Sequence, residues 1–227
     1  MKQKLDTAIT AILVICALLT TALLIRREFF AAPPATGKAA ESVPIFVNEW
    51  ETQLNAGARM GPVDAPVKLI EFADFECPYC SIFHDTLKTL RERHPEQISV
   101  TYVHYPLPMH RFAEGAARAA ECASKQGRFE AMHDRLFAGQ SSFGLKPWTD
   151  FASVAGVPNM EAFKICVEDT VPIPALTAGK ALAEKLAINA TPTLIVNGWQ
   201  LTRPPSVEEL ERMVASVLAG KPPVTKP

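Results

Sequence analysis

The chain is short of several things that would have fixed its class at once. Its 23 lysines and arginines face 24 acids, a net charge of -1, so no field of one sign draws it to nucleic acid. Five cysteines in 227 residues are too few for a small scaffold built on disulfides. There is no second CxxC and no HxxxH, which leaves the CxxC at Cys77 without a partner set for a zinc knuckle. His104, His110 and His133 also lack ligand spacing among themselves. No internal repeat is visible, and long uncharged apolar runs are absent except for one at the N-terminus.

That run, Thr7 to Ile25, carries no charge and lies between Lys2, Lys4 and Arg26, Arg27. Built as a helix it reaches about 28 Å, close to the roughly 30 Å hydrocarbon core of a bilayer. The reading is an N-terminal transmembrane anchor over residues 1–28, with a cleaved signal peptide as the alternative. The run is long for a signal, and Phe30 and Lys38 spoil the small-x-small sites near Ala32 and Ala40. Basic residues on both sides leave the orientation open. Residues 29–60, with Pro33, Pro34 and Pro44, read as a tether, in which Ile45 to Trp50 is apolar enough to dock on a domain.

A domain over 61–222 follows. Val67 to Ala73 is apolar on both faces, as a buried strand is. It runs into Cys77-Pro78-Tyr79-Cys80, where Pro78 suits the first turn of a helix ending near Arg93, before Pro95. Ile98 to Val103 is a second strand. Residues 111–186 then alternate Ala-rich amphipathic stretches with breakers, a helical block inserted in the domain. Thr193 to Val196, the turn Asn197-Gly198 and Trp199 to Thr202 form a hairpin. Ser206 with Glu209 is a capping box that starts a last helix.

Two thiols three apart at a helix start share one face and can close a disulfide. The unpaired N–H groups there favour a thiolate at the first, so Cys77 is the expected nucleophile and Cys80 the resolving thiol. Glu71 is an acid in a strand otherwise made of Leu, Ile and Phe; either it is buried or it sits at an edge beside a lysine. Cys122 and Cys166 fall in two helices of the insertion and are either buried free thiols or a structural disulfide. If paired in an oxidising compartment they would stabilise the fold by about 4 kcal/mol in the chain-entropy model. His84 reads as a partly exposed helix residue.

The segments "KLIEFADFECPYC", "AARAAECASKQGRFEAMHDRLF" and "INATPTLIVNG" occur in the order of a thioredoxin fold interrupted by helices. In these the chain resembles the DsbA-like thiol–disulfide oxidoreductases, over about residues 43 to 220. The resemblance implies an α/β thioredoxin fold and an enzyme that introduces disulfides into exported proteins. It makes Pro192 a cis-proline facing the dithiol and Thr191 the residue whose backbone holds the substrate chain, with Pro78 and Tyr79 beside it. Glu71 would move the proton of the buried cysteine. Tyr79 stands where strongly oxidising relatives carry histidine, which leaves the direction of electron flow open between oxidase, isomerase and reductase. A peptide-binding chaperone using the same groove is a further alternative. Implied partners are exported proteins with free thiols and a quinone-linked membrane oxidase, with no bound cofactor or metal and an extracytoplasmic, periplasmic location.

Overall fold

The computed structural model describes residues 13–16, 18–21 and 43–224. Most of the expected anchor and the first part of the tether lie outside these. Residues 13–16 and 18–21 are helical and exposed, and Thr20 Oγ1 donates to the Cys16 carbonyl at 3.0 Å. Among the described residues no helix is long and apolar enough to cross a membrane.

The second unit, from Val43 on, is built on a mixed sheet. Its strands are β1 (Ile45–Phe46), β2 (Ala58–Met60), β3 (Val67–Ala73), β4 (Ile98–His104), β5 (Thr193–Val196) and β6 (Trp199–Gln200). Their order across the sheet is β1-β6-β5-β3-β4-β2. Only β3 and β4 run parallel, joined by helix α1 (Pro78–Arg93); the remaining pairs are antiparallel. The insertion supplies α2 (Ala113–Ser124), α3 (Phe129–Ala138), α4 (Trp148–Val154), α5 (Met160–Glu168) and α6 (Pro174–Lys185), and the chain ends in α7 (Val207–Leu218). The domain therefore begins earlier than the boundary at residue 61 expected from sequence. Residues 45–60 of the supposed tether furnish both rims of the sheet, and Trp50 is buried.

Alternation along β3 divides the core. Ile70 and Phe72 pack with Val103, Ile195, Leu182 and Ala183 beneath α6. Leu69 and Ala73 join Phe83, Leu87 and Leu90 of α1, together with α7 and the insertion. At α6 the helix backbone comes so close to β4 that a Cβ on Gly179 would lie 2.2 Å from the His104 carbonyl oxygen. Glycine is needed there. The Asn197-Gly198 turn has φ of 42° and 87°, the left-handed pair a tight hairpin demands. Asn197 anchors it further: its Oδ1 accepts from the Lys68 N–H at 2.8 Å and its Nδ2 donates to the Pro66 carbonyl at 2.9 Å. Ser206 and Glu209 form the expected capping box on α7.

Cys122 and Cys166 are joined by a disulfide, tying α2 to α5. Met132 and Phe137 are buried, whereas Met109 is exposed.

Candidate functional site

Cys77 is the N-cap of α1 and Pro78 occupies its first turn, where a missing N–H breaks no bond. The Cys77 carbonyl accepts the first helical bond, from Ser81 at 3.2 Å, while its own N–H donates to the Asp74 carbonyl at 3.1 Å. The strand-to-helix corner is held from outside as well. The buried Asp74 carboxylate accepts from the Glu76 N–H at 2.8 Å, from the Leu107 N–H at 2.7 Å and from His110 Nδ1 at 2.7 Å. Glu76 in turn accepts from the Phe112 N–H. Gln140, just after α3, donates to the carbonyls of Phe75 at 2.7 Å and Cys77 at 3.0 Å. None of Asp74, Glu76 or Gln140 stands out in the sequence as a site residue, since no spacing marks them.

Opposite this corner the Thr191–Pro192 peptide bond is cis. Cys77 Sγ lies 3.5 Å from the Thr191 carbonyl oxygen. The Thr191 hydroxyl is buried without a hydrogen-bond partner among the described residues, near enough to the sulfur to help lower its thiol. The two thiols are electrically unlike. A hydrogen bond from Cys80 is the main cause holding the Cys77 thiol down at about 5; burial opposes it, and Thr191 and the N–H groups of Cys80 and Tyr79 assist. Burial pushes the Cys80 thiol far above its ordinary range, reinforced by its bond to Cys77 and by the charge of Glu71. At neutral pH the reduced site thus holds one thiolate and one thiol. Cys77 is 3% exposed and Cys80 0%, so solvent access to the pair is through Cys77. Tyr79, between them in sequence, is 70% exposed and offers a ring to the surface.

Glu71 lies in register with Tyr102 on β4 and Leu194 on β5, in the middle of the sheet and not at its edge. Burial raises its carboxyl to about 8, and Oε1 has no partner among the described residues. His84 departs from the sequence expectation. It is buried, stacks on Phe137 with centroids 5.0 Å apart and meets the His133 ring edge-on at 5.0 Å. Burial, with the neighbouring His133, brings it down to about 4. The signal was available: His84 follows Cys80 by one helical turn on the stripe that continues through Leu87.

Among the described residues, His84, His133 and Asp134 form a cluster of three ligating atoms within reach of one another. Those atoms already serve each other, with His133 Nδ1 3.0 Å and His84 Nε2 3.7 Å from Asp134 Oδ1. Three donors also fall short of the four that a closed zinc site uses.

A family model described as thioredoxin matches residues 53–216. The chain belongs to the thioredoxin family. Within the chain, the helical insertion and the cis-proline opposite the CxxC give a thioredoxin fold interrupted by helices. BdbD from Bacillus subtilis, in its oxidised form, superposes with a TM-score of 0.66 at 22% identity, covering 74% of this chain and 95% of that one. The α-DsbA1 of Wolbachia pipientis gives a TM-score of 0.61 at 21% identity, covering 71% and 90%. In sequence, a protein named Na(+)/H(+) antiporter NhaA 3 from Salinispora tropica is 34% identical over 163 residues, 70% of this chain. This chain spans only 24% of that relative's length, so nothing about ion transport carries over.

Proposed function

We propose that the chain is a protein thiol–disulfide oxidoreductase whose redox pair is Cys77–Cys80, and that it works as a dithiol oxidase on exported proteins. The observation that carries this reading is the asymmetry of the two thiols: one held at about 5 beside Thr191, the other pushed far up behind it. A stabilised Cys77 thiolate favours the reduced enzyme, and that makes the disulfide the stronger oxidant.

In the forward direction a substrate thiolate attacks Cys77 Sγ and breaks the disulfide, and the Cys80 sulfur leaves as a thiolate. Cys80 takes the proton of Glu71. A second substrate thiolate then attacks the substrate sulfur of the mixed disulfide and expels Cys77 as a thiolate. Two electrons pass from substrate to enzyme, and the substrate leaves with its disulfide. Thr191, on the rim of the site before cis-Pro192, receives the main chain of the substrate, and Pro78 and Tyr79 form the opposite lip.

The Cys122–Cys166 disulfide supports an oxidising, extracytoplasmic compartment. The uncharged run Thr7 to Ile25 supports an anchor over residues 1–28 that would keep the domain beside a quinone-linked membrane oxidase, its recycling partner.

The test is the equilibrium of the purified chain with a glutathione redox buffer, together with oxidative refolding of a reduced secreted protein. A potential well above thioredoxin's roughly -270 mV, and refolding abolished by Cys77→Ser, are the expected results. A potential near that of thioredoxin would make the chain a reductase, and full activity of Cys77→Ser would make it a chaperone of the same groove.

A further inference from the structure

Behind the dithiol, four buried side-chain atoms have no hydrogen-bond partner among the described residues: Glu71 Oε1, the Tyr102 hydroxyl, His104 Nδ1 and His133 Nε2. They belong to one neighbourhood. Glu71 and Tyr102 are in register on β3 and β4, and the Tyr102 ring lies 4.9 Å from His133 and 5.2 Å from His104. Buried polar groups are nearly always paired, with protein or with water. Glu71 and His133 also line one cleft of about 10 Å3 between α1 and the sheet, walled by His84, Lys88 and Arg91. That volume is at the lower edge of the roughly 10–15 Å3 that admits a single water.

The two nitrogens of His133 differ: Nε2 is buried without a partner among the described residues, and Nδ1 meets Asp134. Its side chain is 4% exposed, and its Nδ1 lies 3.0 Å from Oδ1 of Asp134, whose side chain is 37% exposed. The bond to that carboxylate assigns the hydrogen to Nδ1 and leaves Nε2 a bare lone pair at the inner end. We propose that His133 is the proton relay of the site: it passes the proton that Glu71 exchanges with Cys80 between a water in the cleft and the wet carboxylate of Asp134.

The inference rests on the thiol–disulfide reading above. During reoxidation by glutathione disulfide, the Cys77 thiolate forms a mixed disulfide and releases one glutathione thiolate. Glu71, protonated at rest, first loses its proton through the water to His133 Nε2, as the Nδ1 proton goes to Asp134 and solvent. Its carboxylate then takes the proton of Cys80, which attacks Cys77 Sγ, releases the second glutathione thiolate and leaves Glu71 protonated again. Charge balances: one thiolate enters, and two thiolates and one proton leave. Burial lowers His133 and raises Glu71 to about 8, so the relay rests neutral and its lone pair stays free.

The groups that face His133 are Asp134 and Glu130 from its own helix, Arg91 and His84 from α1, and Tyr102 from β4. Glu71 faces Cys80, Tyr102 and, across the cleft, Lys88. His133 acts through Glu71 and touches neither reacting sulfur.

The experiment follows reoxidation of the reduced full-length chain by glutathione disulfide in rapid mixing, across the pH range around neutrality. His133→Gln keeps size and polarity but cannot pass a proton; the expected slowing is about tenfold, with the ultraviolet titration of the Cys77 thiolate unmoved. In a Glu71→Gln background the same substitution adds nothing, because both lie on one path. His133→Ala is slowed likewise, and imidazole in the buffer restores its rate. A wild-type rate in His133→Gln overturns the relay, and so does an equal slowing in the Glu71→Gln background. Should His133→Ala not fold, as its melting curve would report, the Gln variants decide alone. A wild-type chain that glutathione disulfide does not oxidise overturns the functional reading and the relay together; a reactive wild type with an indifferent His133→Gln overturns the relay alone.

Discussion

The Sγ of Cys77 lies 3.5 Å from the carbonyl oxygen of Thr191, a residue 114 positions later in the chain. That closure brings the start of α1 against the loop before β5 and places the Thr191 hydroxyl among the groups that hold the Cys77 thiol low. Replacing Thr191 by Val keeps shape and removes the hydroxyl. The Cys77 thiol should rise by roughly one unit and the disulfide should become less oxidising by roughly 30 mV, read by ultraviolet thiolate titration and by glutathione equilibrium. An unchanged titration would show that the hydroxyl does not act on the sulfur.

Glu71 gives a stability signature with a definite sign. Its carboxyl stands at about 8 in the fold against an ordinary 4.5, so the unfolded chain releases that proton first. The associated stability is fully present below pH 4.5 and is lost as pH rises through about 8. Glu71→Gln has no such loss. Its stability relative to the parent should therefore climb from acid to mildly alkaline pH, by at most about 3 kcal/mol at pH 7, in urea melts of the oxidised protein. A pH-independent difference would mean that Glu71 titrates normally.

Gln140 spans two carbonyls of the strand-to-helix corner. Gln140→Leu leaves both without that donor, and the urea midpoint should fall by the equivalent of about 1–3 kcal/mol with the slope unchanged. A midpoint within error of the parent would make the clamp incidental.

The insertion should depend on its disulfide more than on any one helix. Cys122→Ser with Cys166→Ser opens a loop spanning 44 positions, for an expected loss of about 4 kcal/mol in the chain-entropy model. Denaturant melts of the double variant measure it, with glutathione reactivity of Cys77 as a control that the site itself survives.

Local signals were readable from sequence because local physics sets them. The strand before Cys77, Pro78 in the first helical turn, the Asn197-Gly198 hairpin and the Ser206–Glu209 box each depend on a few adjacent residues. What stayed hidden depends on convergence. β1 is two residues long and pairs Ile45 with Gln200, too short for alternation to show in a proline-rich stretch. Gln140 reaches Phe75 across 65 positions, and His133 becomes notable only once folding places it in the same cleft as Glu71. His84 is the instructive intermediate: its position on the apolar stripe was visible, but its polarity argued the other way.

The brevity of β1 and β2 matters for a protein whose proposed clients are unfolded. At two and three residues, the margins of the sheet present too few free amides and carbonyls in a row to template a visiting strand. An extended polypeptide sliding over the molecule finds no long ledge on which to add itself, and co-aggregation with clients is discouraged by geometry alone. Backbone capture is left to the short stretch beside the sulfur, so a chain that sticks does so where it can react and be let go.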